Sequence, residues 1–167
     1  MTDREVSREL CRHAVQNLEQ TAERMDLAQL ARIVELFRQS EQVYFVGDMR
    51  ELECFYSLQL DLMCKGQAVY HCNFDEVKKD ELPAMNEKTV VCIFSVSERY
   101  YPEERQLLLE EARACRAHTV WFTQEGDAGE AEETCYYGTA QSKNMGYYSL
   151  LLLEQVISAM LYRSDDA

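Results

Sequence analysis

Two short runs of the sequence gather residue types suited to holding an anion. They are Val46-Gly47-Asp48-Met49-Arg50-Glu51 and Ser95-Val96-Ser97-Glu98-Arg99-Tyr100. Each follows an apolar segment and leads toward a helical pattern. A helix N-terminus offers unpaired backbone N–H groups and a partial positive charge. Gly47 would let a ligand approach the backbone closely. Ser95 and Ser97 could donate hydroxyl protons to a phosphate, and Arg50 and Arg99 could grip one bidentately if they turn inward. Serines after a strand also serve as loop and capping residues, and arginines at a helix start are often solvated. Residue type alone therefore leaves both readings open.

Other chemistry finds less support. General acid–base catalysis needs a base beside the reacting carbon, usually Glu or His. His13 falls on a helical pattern, His71 near the end of a strand pattern, and His118 at the start of another, the wrong end for catalysis in a parallel sheet. Glu51 or Glu98 could be imagined as a base, with nothing to favour that over a solvated carboxylate. The seven cysteines, Cys11, Cys54, Cys64, Cys72, Cys92, Cys115 and Cys135, include no CxxC pair, so neither a zinc ribbon nor a redox pair is indicated. Cys72 and Cys115 lie in apolar contexts that favour inert packing. A lone Gly47 cannot make the G-x-G-x-x-G turn of a dinucleotide site. Asp48-Met49-Arg50 is not the Ser/Thr-rich loop a flavodoxin-like electron carrier would want. No cofactor and no metal are expected.

The elements that must position these residues are legible as changes of hydrophobic period. Val6, Leu10, Ala14, Leu18, Ala22 and Met25 recur every three or four residues and predict a first helix. A second helix runs from the N-cap Asp26 to Ser40, with Leu27, Leu30, Ala31, Val34 and Phe37 as its stripe. Gln42–Gly47 is a buried strand closed by glycine. A helix from about Arg50 to Lys65 ends at Gly66. Strands follow at Ala68–Cys72, Val90–Val96 and Thr119–Thr123, and Pro102 opens a helix reaching Cys115 or Arg116. Gly126 to Glu133 is a polar loop, Thr134–Tyr137 a weak fifth strand, and Met145–Arg163 a long final helix. Strands alternating with helices imply a parallel sheet covered on both faces. The final helix is apolar on more than one face, which fits either burial under the first helices or a subunit interface.

Composition narrows the class. The chain has 167 residues, 30 acidic against 17 basic, and a formal net charge of −13. Such a surface repels phosphate backbones, so direct nucleic-acid binding is not expected. Hydrophobic residues make up 47% with six glycines and two prolines, which excludes a disordered chain. The opening MTDREVSREL lacks the apolar core of a signal peptide. The longest apolar stretch, near Leu150 to Leu153, falls short of a membrane span. A reduced, cytoplasmic protein without membrane contact is expected.

With these motifs in place, the chain resembles the sugar isomerase (SIS) domain, specifically the effector domain of RpiR-type transcriptional regulators. In that family the first strand ends in G-x-G-x-S and the third in S-x-S-G-x-T, followed by a helix ending A-K-x-x-G-A and a strand closing I-x-x-I-T or V-x-x-I-T. Ala112-Arg113-Ala114-Cys115-Arg116-Ala117 and Val120-Trp121-Phe122-Thr123 occupy the last two places. Asn17-Leu18 followed by Thr21 resembles the opening helix. The likeness runs from about Glu9 to Tyr162. Gly47, Ser95 and Ser97 match. Met49 replaces the second glycine, Glu51 falls where a phosphate-holding serine would be, Glu98 replaces a glycine and Tyr100 a threonine. A carboxylate placed about 4 Å from a docking anion costs roughly 1 to 4 kcal/mol.

The resemblance implies an α/β fold: a three-layer sandwich around a five-stranded parallel sheet of order 2-1-3-4-5, with flavodoxin-like topology. Residues 1–167 would form one SIS-like domain, with a helical extension over about 1–40 and the core over 41–163. It also implies a phosphosugar-sensing and dimerisation module without its own DNA-binding part. Gly47, Met49, Arg50, Glu51, Ser95, Ser97, Glu98, Arg99 and Tyr100 would line the site. Its ligand would be a sugar phosphate or related small anion, and its partner a second copy. The alternative is a structural SIS-like dimer with a vestigial pocket, and a phosphosugar isomerase comes third.

Overall fold

The computed structural model describes residues 2–95, 101–124, 130–138 and 146–163. Five strands form one parallel sheet: β1 (Gln42–Gly47), β2 (Ala68–Asn73), β3 (Thr89–Ser95), β4 (His118–Thr123) and β5 (Glu133–Tyr136). Their order is β2-β1-β3-β4-β5, as expected. β1, β3 and β4 occupy the interior as continuously apolar strands, and every residue of β3 is buried. The edge strand β2 has exposed positions that include His71 and Tyr70.

Helices α1 (Asp3–Arg24), α2 (Leu27–Gln39), α3 (Met49–Cys54), α4 (Tyr56–Cys64), α5 (Pro102–Cys115) and α6 (Gly146–Arg163) complete the regular structure. Two short 3₁₀ turns, Phe74–Glu76 and Lys79–Glu81, fill the connection after β2. Side chains alternate along each strand, so the sheet separates two cores. On one face Phe45, Phe94 and Phe122 meet Phe55 and the apolar sides of α2, α4 and α6. On the other, Val91, Ile93 and Trp121 meet Leu108, Leu109 and Ala112 of α5. Phe55 packs at 4.7 Å from Phe94 and 5.0 Å from Phe122, ring centre to ring centre.

That packing accounts for one departure from the sequence reading. The single helix expected over 50–65 is two helices broken at Phe55 (φ −100°, ψ 11°). The break drives the Phe55 ring into the core. The buried Gln59 donates its side-chain N–H to the Leu52 carbonyl at 3.1 Å and satisfies the end of α3. One of the first helical hydrogen-bond donors of α4 is met from elsewhere. Glu154 of α6, fully buried, accepts from the backbone of Leu58. Gly66, at φ +90°, ends the α4 turn as expected.

The buried polar residues of α1 are explained by the contacts they make. Thr21 donates to the Asn17 carbonyl at 2.8 Å and accepts from the Gly138 N–H at 2.9 Å. Ser149 of α6 donates to the same Asn17 carbonyl at 3.4 Å. These residues tie the first helix to the turn after β5 and to α6. The remaining edge is pinned by α2: Gln29 donates to the Thr134 carbonyl at 3.0 Å, and Arg32 pairs with Glu133 at 2.6 Å.

Candidate functional site

The carboxyl end of β1 turns directly into α3, and its residues satisfy one another. Asp48 is the N-cap and its side chain accepts from the Glu51 N–H at 3.0 Å. Glu51 folds back and accepts from the Asp48 N–H at 2.9 Å. This reciprocal capping box uses donors that an incoming anion would otherwise find. Glu51 is only 2% exposed, so its carboxylate is part of the interior. Gly47 is explained by the same packing: a Cβ there would lie 3.0 Å from both Glu51 Oε2 and Phe94 Cβ. The glycine accommodates a phenylalanine and a carboxylate of its own chain.

The neighbouring side chains extend this corner outward. Met49 is 66% exposed. Arg50 lies over the Tyr147 ring, 5.6 Å from its centre, and so points along the surface toward α6. Tyr147 in turn donates to Asp48 Oδ2 at 3.4 Å. Burial, then the Asp48 and Glu51 carboxylates, push the Tyr147 phenol up from its ordinary range. Cys54 donates to the Tyr147 carbonyl at 3.5 Å, and burial with the same carboxylates raises its thiol to about 11. Raised in this way, the group favours the neutral thiol over the nucleophilic thiolate. Tyr137 is 2% exposed, and among the described residues its hydroxyl meets no hydrogen-bond partner.

The carboxyl end of β3 is built differently. Ser95, 3% exposed, accepts from the Trp121 indole N–H at 2.6 Å. That contact fixes the hydroxyl oxygen and leaves its proton as a donor. The Trp121 ring lies under the Arg105 guanidinium at 4.7 Å. Ser95 points to the α5 side of the sheet, whereas Glu51 packs on the Phe94 side. Ser97, Glu98, Arg99 and Tyr100 lie outside the described residues, as do Val96, Met145 and residues 125–129.

Of the nine residues singled out from sequence, Gly47, Arg50 and Glu51 therefore come together around Asp48 and Tyr147, with Met49 at the rim. Ser95 stands apart from them across the sheet. Sequence reasoning missed Trp121 and Tyr147 as parts of these two ends. Neither carried a signal, because each meets its partner far along the chain. The histidines are dispersed. His13 sits on the exposed side of α1 beside Glu9 at 3.0 Å, and His118 pairs with Glu132 at 2.8 Å at the amino end of β4. His71 lines a shallow cavity of about 220 Å³ with Met49, Leu52, Glu53, Tyr56 and Gln59. Among the described residues no group of three or more His, Cys, Asp or Glu could hold a metal ion, and no helix is long and apolar enough to cross a membrane.

No protein-family model matches this sequence, and no curated protein matches it. Solved structures do resemble it. NanR of Vibrio vulnificus, complexed with ManNAc-6P, superposes with a TM-score of 0.77 at 20% identity over 96% of this chain. This chain spans 65% of that protein's length. A candidate sugar-phosphate isomerase of Listeria monocytogenes gives 0.78 at 9% identity, covering 99% of this chain and 93% of the other. The sugar isomerase domain of an RpiR transcription factor from Sphaerobacter thermophilus gives 0.68 at 17% identity, covering 98% and 99%. The chain thus has the fold of the sugar isomerase domain, shared by regulators and by isomerase-like proteins, and the resemblance noted in the sequence is borne out at the level of fold.

Proposed function

We propose that this chain is a sensing module of the RpiR effector type, binding a small sugar phosphate at the carboxyl end of its sheet and acting as a homodimer without catalysis. The observation that supports it most is the likeness over 96% of the chain to a regulator whose structure holds a sugar phosphate. Within the site, the anion would sit at the β3 end beside Ser95, whose buried hydroxyl is held in place by Trp121. The sugar portion would lie toward Met49 and Arg50. Catalysis is disfavoured because Glu51 is engaged at the α3 N-terminus and His118 is at the amino end of the sheet. Binding a small anion from within the cell is consistent with a cytoplasmic location, and the net charge of −13 argues against direct contact with nucleic acid.

A second reading rests on Glu51. Its carboxylate occupies the helix start that a ligand phosphate would use, which favours a structural dimer whose pocket is filled by its own chain. A thermal-shift panel separates the two. The sensing reading expects a saturable shift with a sugar phosphate such as ManNAc-6P and none with inorganic phosphate. At 100 times the dissociation constant the stabilisation is about 2.7 kcal/mol, or roughly 5 to 11 °C in a protein of this size. A flat panel of hexose and pentose phosphates on a folded dimer supports the structural reading instead.

A further inference from the structure

We infer that the N-terminal half of α1 is the element by which two copies of this chain dock, and that it seats in the groove between α2 and α6 of the other copy. This rests on the homodimer part of the reading above and names its surface. α1 runs for 22 residues, and its buried side chains, Asn17 and Thr21, lie in the half nearer α2. Val6, Leu10 and Ala14 continue the same helical face toward the N-terminus, and Leu10 is 50% exposed. Residues 3–16 form about 21 Å of amphipathic helix. A helical segment of that length is marginal without a surface to cover its apolar stripe.

The same chain carries a matching groove. Leu27, Gln155, Val156, Ala159, Met160 and Arg163 line a depression of about 430 Å³. Leu27 is 62% exposed there. Projection and groove on one chain allow a two-fold axis to close both contacts at once. One helix in one groove is a small contact, and reciprocity doubles it. Charge selects the same occupant. Residues 3–16 hold three carboxylates, Asp3, Glu5 and Glu9, against three guanidiniums, Arg4, Arg8 and Arg12. In a chain of net charge −13 this segment can approach a second copy without net repulsion. The charged member of the groove wall is Arg163, and Glu5 and Glu9 flank the apolar stripe on the helix that would meet it.

Light scattering after size exclusion, on the full chain, tests this with Leu10→Asp and Ala159→Asp. Both positions are exposed, and circular dichroism verifies that each variant stays folded. The wild type is expected to be a dimer, and each variant alone a monomer, with dimer affinity reduced at least 100-fold. An equimolar mixture of the two forms more dimer than either variant alone, because each mixed pair keeps one intact helix in one intact groove while both aspartates fall in the other contact. Pairing of α1 with α1 would give no recovery, since every mixed pair still carries Leu10→Asp. A monomeric wild type, a dimeric Ala159→Asp, or a mixture that stays monomeric overturns the inference. The ManNAc-6P thermal shift on the same samples keeps the two readings separate: a dimer blind to ligand counts against sensing alone, and a responsive monomer against docking alone.

Discussion

The carboxyl ends of β1 and β3 look equivalent in sequence, each a strand running into polar residues with an arginine, yet they are built on opposite principles. At β1 the chain consumes its own polar groups: Asp48 and Glu51 cap α3 reciprocally, and Gly47 makes room for Phe94 and Glu51. At β3 the polar group is held from outside its own segment, with Trp121 donating to Ser95 from the neighbouring strand. A locally satisfied corner gains stability at the expense of a vacancy for ligand. A hydroxyl oriented by a distant donor keeps its own proton in reserve. The difference teaches that matching a motif position is weaker evidence for binding than knowing what already occupies it.

The strongest way to break this contrast is Ser95→Ala. It leaves the buried Trp121 N–H without an acceptor, at a cost of about 1 to 3 kcal/mol, so the melting temperature should fall by roughly 2 to 4 °C per kcal/mol. Adding Trp121→Phe removes the orphaned donor, and most of that loss should return. An unchanged melting temperature in the single variant would mean the Ser95–Trp121 bond does nothing for the fold.

Gly47→Ala acts at the other end. Its methyl would sit 3.0 Å from Phe94 Cβ and Glu51 Oε2, and the neighbours must give way at a cost of about 1 to 3 kcal/mol. Chemical denaturation would read this as a lower midpoint with the slope unchanged. A neutral result would mean the corner is loose enough to admit a ligand.

Arg50→Ala is the mildest. The exposed stacking on Tyr147 contributes about 0.5 to 1 kcal/mol at most, so the free protein's melting temperature should barely move. If Arg50 swings from Tyr147 to grip a sugar phosphate, ligand affinity falls in this variant. Equal affinity would remove Arg50 from the site.

Much of the scaffold was legible because local signals agreed with it. The apolar run Gln42–Gly47 is β1 over the same residues, Asp26 caps α2, Pro102 opens α5 and Gly66 ends α4. The break at Phe55 was not legible, because the ring's place among Phe45, Phe94 and Phe122 is set by strands far along the chain. The site was legible only as positions. An acidic residue in a first helical turn ordinarily faces water, and nothing local says that Glu51 is interior. The Ser95–Trp121 pair spans 26 residues, and Asn17 and Thr21 gain their meaning only from Gly138 and Ser149.

The central claim is that Glu51 closes the β1 end structurally while the ligand is held at β3. The most direct test is the ManNAc-6P response of Glu51→Ser beside the wild type, with inorganic phosphate as control. Losing the reciprocal cap should cost about 1 kcal/mol of stability, while the ligand-induced shift should be kept or enlarged, because a negative charge has been removed from the corner. A variant that melts normally but loses the wild type's response would contradict the account, since Glu51 would then be a ligand contact and the β1 end an open site.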